Sequence, residues 1–269
     1  MKIKDCPFYT AVNSIIKWLD LKDVPIHYPF GGFYKKIYHG DCRIRNELVE
    51  YSEDILPPER SYSRRFLDDN IAIDSQQKFG VRYCHQDDCI LIPIYDLKHR
   101  LVGVKARNNS DEDFHRRWYA WMPYLKNEIV YGLDINYANI IKKKTLIIFE
   151  SEKSVMQCDT MGLHCCVAIA GHSVSYEQAE TIKSMMIDII IVAFDEGLVE
   201  DEIIFECKKL KVTNSLYQNK VYYLFDREHK YLAEESKDSP SDNGKDILMN
   251  MIKECKYEYK ISTSTEDAD

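Results

Sequence analysis

The run DIIIVAFD at residues 188–195 is one of four short apolar runs in the second half of the chain, each ending in an acidic residue or a glycine. The other three are TLIIFE at 145–150, CVAIAG at 166–171 and VYYLFD at 221–226. Segments long enough to form a helix separate these runs, and that alternation predicts βαβ units around a parallel sheet. The expected fold class of this half is therefore α/β.

Three of the predicted strands end in a carboxylate, at Glu150, Asp195 and Asp226. Because sites in open parallel sheets form beyond the carboxyl ends of the strands, we expect these side chains to share one edge. Mg²⁺ usually takes one or two protein carboxylates together with substrate phosphates. The sequence therefore predicts a site for Mg²⁺ (or Mn²⁺) and phosphate chemistry built on Glu150 and Asp195. Further acidic residues follow nearby, at Glu196, Asp238 and Asp242.

The chain has 269 residues and is 45% hydrophobic, enough for one large domain or two modest ones. It contains no run of 18 apolar residues, and its first residues lack the apolar stretch of a signal peptide. Nine cysteines form no Cys-x2-Cys pair, which favours reduced thiols over a disulfide framework. We therefore expect a cytoplasmic protein with no membrane partner.

The net charge of −8 is unevenly distributed along the chain. Residues 1–144 carry 23 basic and 20 acidic residues, whereas residues 145–269 carry 13 and 24. A mildly basic half joined to a strongly acidic half suits a protein that holds a polyanion on one part and a metal ion on the other. Ordinary surface charge, unevenly sampled, explains the same numbers.

The first half contains one clear strand pair. CILIPIY and LVGVKARN, separated by the polar turn DLKHR, predict a β-hairpin over residues 89–108. Alternation in the second strand predicts Lys105 and Arg107 on one face, and on the other face Val102, Val104 and Ala106.

Seven segments in order resemble the catalytic core of bacterial and phage replicative DNA primases. In the second half they are FESEKSVMQCDTMG, VAIAGHSVS, VAFDEG and KDSPSDNGKD, which are similar to a TOPRIM domain. In the first half, RRFLDDNIAIDSQQKFGV and ILIPIYDLKHRLVGVKARN, followed later by IVYGL, are similar to the primase basic subdomain. The closest resemblance is to the divergent primases of phages and mobile elements.

The resemblance implies a division of the chain into four parts. Residues 1–58 are an amino-terminal region of uncertain fold, and residues 59–143 are the α+β primase basic subdomain. Residues 144–255 are the TOPRIM domain, with a parallel sheet flanked by helices, and residues 256–269 are a tail. Pro57 and Pro58 mark the first boundary.

The resemblance also implies an activity and its residues. The chain would synthesise short RNA primers on single-stranded DNA by magnesium-dependent nucleotidyl transfer, from nucleoside triphosphates and beside a replicative helicase, in the cytoplasm of a bacterial host. Glu150 and Asp195 would be catalytic and bind the metal. Glu196, Asp238 and Asp242 would complete the metal cluster. Nucleic-acid or nucleotide phosphates would contact Arg65, Lys105, Arg107 and Lys153.

The chain departs from the family pattern at several positions. Gly197 replaces the second aspartate of the usual Asp-x-Asp pair, and Ser154 stands where many TOPRIM domains carry an aspartate. Two alternatives therefore remain: a catalytically weakened TOPRIM protein that binds single-stranded DNA or a helicase, and a TOPRIM nuclease. Zinc is not predicted, because Cys6, His39 and Cys42 do not complete the four-ligand module that opens a primase.

Overall fold

The computed structural model describes residues 47–58, 62–109 and 117–261. They form a four-stranded antiparallel sheet followed by a five-stranded, mostly parallel sheet with helices packed on it. The α/β fold class is therefore confirmed. Residues 1–46, with the positions considered for zinc, lie outside the described residues. No helix in the described ranges is long and apolar enough to span a membrane.

The first sheet has the strand order β1-β2-β3-β4, and all its neighbours are antiparallel. β2 and β3 form the predicted hairpin, in which Ile90 faces Arg107. Two short helices precede the sheet. The elements are α1 Arg64–Asp68, α2 Ile73–Lys78, β1 Arg82–Cys84, β2 Cys89–Tyr95, β3 Leu101–Asn108 and β4 Trp118–Met122, with short 3-10 helices at Glu53–Ile55 and Lys126–Glu128.

An irregularity in the hairpin corrects one prediction from the alternation of β3. Ile94 pairs with Gly103 but Tyr95 pairs with Leu101, so Val102 is an extra residue between two pairs. Such a bulge reverses the faces of the strand beyond it. Val102 consequently packs with the isoleucines of β2 on the face of Lys105, not with Val104.

The second sheet has the order β6-β5-β7-β8-β9, parallel except for the antiparallel pair β8–β9. All four apolar runs contain a strand. The strands are β5 Thr145–Phe149, β6 Cys166–Ala168, β7 Ile189–Val192, β8 Lys220–Leu224 and β9 Lys256–Glu258. The helices are α3 Leu133–Lys143, α4 Glu152–Thr160, α5 Tyr176–Ser184, α6 Glu200–Leu210 and α7 Lys245–Glu254.

Local sequence explains where two of these helices begin. The Ser151 hydroxyl accepts the backbone N–H of Ser154 at the start of α4. At the start of α5, Ser175 and Gln178 form the predicted capping box.

The end of the chain differs from expectation, because the sequence predicts a tail that includes Lys256–Glu258. These residues pair with β8 and form the edge of the second sheet, as Tyr223 lies opposite Tyr257.

The two sheets share one hydrophobic cluster. Phe66 and Phe79, from the helices beside the first sheet, pack with Val155 and Met156 of α4 and Ala168 of β6. Polar contacts follow the same path, since the Ser75 hydroxyl of α2 donates to Asp159 of α4 over 2.8 Å. Helix α4 begins directly after Glu150, so the element that joins the two sheets also borders the predicted metal site.

Candidate active site

Glu150 and Asp195 lie side by side at the carboxyl edge of the second sheet. β5 and β7 are adjacent parallel strands in which Ile148 pairs with Val192, so the residues that follow each strand emerge together. The backbone N–H of Asp195 donates to Glu150 Oε1 over 3.1 Å. The structure thus brings the two predicted catalytic residues together at one edge, with the Glu150 carboxylate bonded to the Asp195 backbone.

The surroundings of both carboxyl groups raise their pKa values. Burial, together with the neighbouring charges of Glu150 and Asp242, raises the pKa of Asp195 to about 7, although Ser239 and Lys153 oppose the rise. Burial also raises the pKa of Glu150, although the N–H of Asp195 opposes this. Two half-desolvated carboxylates beside each other favour either a shared proton or a bound cation.

Asp242 completes this cluster from the polar segment before α7. Its Oδ1 accepts the Lys153 ammonium at 2.6 Å and the Gln157 side-chain amide at 2.9 Å. Its Oδ2 accepts the backbone N–H of Ser239 at 3.0 Å. Helix α4 therefore holds the segment around Asp242 against the sheet edge, and Lys153 lies at the site as predicted, paired with a carboxylate.

The remaining acidic residues are used differently. Both Glu196 carboxylate oxygens accept backbone N–H groups, from Glu235 at 3.2 Å and Lys237 at 3.1 Å. Asp226, at the end of β8, accepts three backbone N–H groups of the turn that follows it. Both side chains therefore hold the loop between β8 and α7. Asp238 is half-buried, and its Oδ2 lies 3.5 Å from the Asn243 amide.

The basic residues of the first sheet are more enclosed than the resemblance implies. Lys105 donates to Glu152 of α4 over 2.5 Å, and the residue Arg107 is 2% exposed, with one guanidinium nitrogen donating to the Asn108 carbonyl. Lys105 and Arg107 also lie over the Trp118 ring, at 5.0 and 5.5 Å from its centroid. Lys105 therefore ties the two sheets together. Arg65 donates to the Asn109 carbonyl over 2.7 Å, and its role in binding phosphate stays a prediction.

Sequence reasoning missed two features of the site. A hydroxyl network joins Ser154 of α4 to Ser239 at 2.9 Å, which explains why serine suits a position where the family often has an aspartate. The second is exposed Lys126, whose Nζ lies 3.0 Å from where a Cβ on Gly171 would stand. Gly171 N–H in turn donates to the Glu150 backbone carbonyl, so the Lys126 ammonium lies near the end of the strand that carries Glu150. Nothing in the sequence around Lys126 indicates that its side chain lies near Gly171.

A divalent metal ion fits the donor set at this edge. Among the described side chains, Asp195 Oδ1 is one of the few buried polar atoms with no hydrogen-bond partner. A buried carboxylate oxygen without a partner is costly unless a cation or donor satisfies it. Glu150, Asp195 and Asp242 supply only oxygen ligands, the type that Mg²⁺ and Mn²⁺ prefer.

Sequence comparison connects the chain to a phage protein. No family model matches it. An uncharacterized protein derived from the SPbeta prophage of Bacillus subtilis strain 168 is 26% identical over 251 residues, which is 84% of this chain. The match spans 64% of that relative, so the chain corresponds to about two thirds of its length.

Structural comparison identifies the fold. The zinc-binding and RNA polymerase domains of the Aquifex aeolicus primase match with a TM-score of 0.59 over 93% of this chain and 68% of theirs, at 15% identity. A DnaG primase catalytic domain bound to single-stranded DNA matches with a TM-score of 0.58 over 76% and 74%, at 13% identity. The Escherichia coli primase catalytic core gives 0.54 over 71% of each chain, at 11% identity. The chain has the fold of primase catalytic cores, and the resemblance read from its sequence is confirmed.

Proposed function

We propose that this chain is a template-directed primase that joins nucleotides on single-stranded DNA during phage or mobile-element replication. The observation that carries the proposal is the contact between Glu150 and Asp195 at the carboxyl edge, with Asp195 Oδ1 buried and unpartnered. The fold of primase catalytic cores supports it, and one such core is described as bound to single-stranded DNA. A prophage-derived relative supports the phage or mobile-element context.

In this proposal the chain's own residues orient the reactants. Glu150, Asp195 and Asp242 would hold Mg²⁺ or Mn²⁺, which when bound neutralises phosphate charge and orients the leaving group. Lys153, which pairs with Asp242, and Lys126, which lies near Gly171, would balance the charge of a triphosphate. The 3′-hydroxyl of one nucleotide attacks the α-phosphate of the next, and pyrophosphate leaves. Catalysis of this kind is mostly positioning and electrostatic stabilisation.

Partners belong to the same proposal. Single-stranded DNA would be the template and nucleoside triphosphates the substrates, held beside the first sheet and the acidic edge respectively. A replicative helicase and a location in the host cytoplasm follow from the proposed role in replication. The proposed partners and location both depend on the proposal that the chain synthesises primers.

The test is a primer-synthesis assay. The full chain is incubated with single-stranded template, labelled nucleoside triphosphates and Mg²⁺ or Mn²⁺, and the products are resolved by length. Asp195→Asn should lower primer yield by about a hundredfold or more, since it removes a carboxylate that would hold the metal ion. Asp188→Asn is the matched control, because Asp188 is exposed at the opposite end of the same strand.

Each outcome of this assay separates the alternatives. Primers from the wild type that disappear in Asp195→Asn support the proposal. Cleaved template instead of primers identifies a metal-dependent nuclease. Neither product, together with retained binding of single-stranded DNA, identifies a binding module with a weakened site. The capture of Glu196 by two backbone N–H groups is the observation that favours this last reading.

A further inference from the structure

A second group of metal-binding side chains lies at the tip of the β1–β2 hairpin, in the first sheet. Cys84 ends β1 and Cys89 begins β2, and the two residues lie directly opposite each other in the register. Asp87 stands in the turn between them. One ligand atom from each of the three side chains lies within 4.8 Å of the other two. We propose that Cys84, Asp87 and Cys89 bind a zinc ion.

The spacing of these atoms suits a tetrahedral ion. With Zn–S near 2.3 Å and Zn–O near 2.1 Å, tetrahedral geometry places ligand atoms about 3.6–3.8 Å apart. Cys84 Sγ lies 3.6 Å from Asp87 Oδ2. The two sulfur atoms lie within 4.8 Å of each other across the strand pair. Small side-chain rotations would therefore bring all three ligand atoms to the required distance.

The surroundings resemble the outer shell of a metal site. Trp121 Nε1 donates to Asp87 Oδ2 over 2.9 Å, which fixes the orientation of the carboxylate. Tyr119, on β4, lies near Cys89 and lowers the pKa of its thiol, against the larger effect of burial. Such outer contacts orient ligands and raise metal affinity. Cys89 is fully buried and Asp87 is exposed, so an ion enters from the solvent side and water fills the fourth position.

The ligand types distinguish this site from the acidic edge of the second sheet. Two thiolates and one carboxylate favour Zn²⁺ over Mg²⁺ or Mn²⁺, which prefer oxygen ligands. The spacing Cys-x2-Asp-x-Cys differs from the paired-cysteine modules by which zinc is usually recognised in a sequence. The site would fix the hairpin tip, because β1 has only three residues and forms an edge of its sheet.

Cobalt substitution tests the proposal. The full chain, reduced and freed of metal, is titrated with Co²⁺, whose thiolate charge-transfer and visible bands report a tetrahedral sulfur site. We expect one equivalent to bind in the Cys6→Ser/Cys42→Ser variant, where those two thiols are absent. Zn²⁺ should displace the Co²⁺ and raise the melting temperature. The bands should be lost in Cys84→Ser/Cys89→Ser and kept in the control Cys165→Ser/Cys166→Ser, another pair of buried thiols.

A milder variant distinguishes weaker metal binding from misfolding of the protein. Trp121→Phe keeps an aromatic ring but removes the N–H that orients Asp87, so it should weaken Co²⁺ binding about ten- to a hundredfold while leaving the bands in place. The proposal is overturned if the Cys6→Ser/Cys42→Ser variant shows no cobalt bands. It is equally overturned if the bands survive Cys84→Ser/Cys89→Ser, or if Trp121→Phe binds as tightly as its parent.

Discussion

Among single residues, Asp195 controls how the protein responds to pH. Its carboxyl pKa is raised from an ordinary 3.8 to about 7 by burial and by Glu150. A carboxyl with a higher pKa in the folded than in the unfolded protein stabilises the fold fully below pH 3.8. That contribution is lost as the pH rises through about 7. Without metal, the free energy of unfolding should therefore fall between about pH 4 and 7.

Asp195→Asn should remove this loss. In EDTA at pH 8 we expect the variant to be more stable than the wild type, by about 1–3 kcal/mol, with the difference shrinking toward pH 4. Urea unfolding at both pH values measures it, and Asp188→Asn should behave as the wild type. Mg²⁺ should stabilise the wild type at pH 8 but not Asp195→Asn. A variant less stable than the wild type at pH 8 would contradict the proposed burial of charge.

Gly197 carries a second prediction at this scale. It replaces the usual second aspartate of the pair and adopts a φ of +103°, which side-chain-bearing residues rarely take. Gly197→Asp should therefore cost about 1–3 kcal/mol and should not raise primer synthesis. Gly197→Ala should cost a similar amount if the backbone is the cause. An aspartate variant with full stability and greater activity would show that the loop tolerates the residue that the family usually carries.

Only part of the site could be predicted from the sequence. The positions of Glu150 and Asp195 follow from strand alternation, because a parallel sheet brings strand ends together. The roles of Glu196 and Lys105 do not follow from it. Which carboxylate accepts loop N–H groups, and which lysine meets a buried glutamate, depends on contacts between segments distant in sequence. A pattern of residue types does not encode those contacts.

At the scale of elements, a buried ion pair joins β3 to α4. Glu152 is 1% exposed, its Oε2 accepts Lys105, and its Oε1 has no hydrogen-bond partner. Removing Lys105 would leave a buried carboxylate unpaired. We expect Lys105→Met to cost about 3–5 kcal/mol in urea unfolding, and Lys105→Met/Glu152→Met to recover most of it.

A second lysine that contacts α4 provides the control for this prediction. Lys78 binds Asp159, but Asp159 also accepts from Ser75 and contacts His164, and the Lys78 side chain is 38% exposed. Lys78→Met should therefore cost less than Lys105→Met. Equal costs, or a double variant no more stable than Lys105→Met, would show that charge burial at Glu152 is not the cause.

The elements themselves were largely predictable, and the exceptions have a common origin. The β2–β3 hairpin and the four strands of the apolar runs were expected from periodicity and turn residues. The bulge at Val102 and the strand Lys256–Glu258 were not. Both are set by pairing with a neighbouring strand, which a short polar stretch or a single extra residue does not reveal.

At the scale of the whole molecule, the shared core predicts that both sheets unfold together. The described residues belong to one compact unit, and Phe79 packs against Met156 across the boundary expected near residue 143. Because the two parts share a core, unfolding one part removes packing contacts from the other and lowers its stability. Trp118 and Trp121 report on the first sheet by fluorescence. Pulse labelling of the buried thiol of Cys207 reports on the second.

Leu210→Ala tests this coupling. Leu210 is fully buried at the end of α6 and packs only within the cluster of the second sheet. The substitution should cost about 2–5 kcal/mol. If the sheets unfold as one unit, the tryptophan midpoint in urea should fall by the same amount as the Cys207 labelling midpoint. A tryptophan transition that stays at the wild-type position while Cys207 becomes labelled earlier would show two independent units. A functional primase would then have to align its template surface and acidic edge across a flexible joint, instead of through the rigid helix α4.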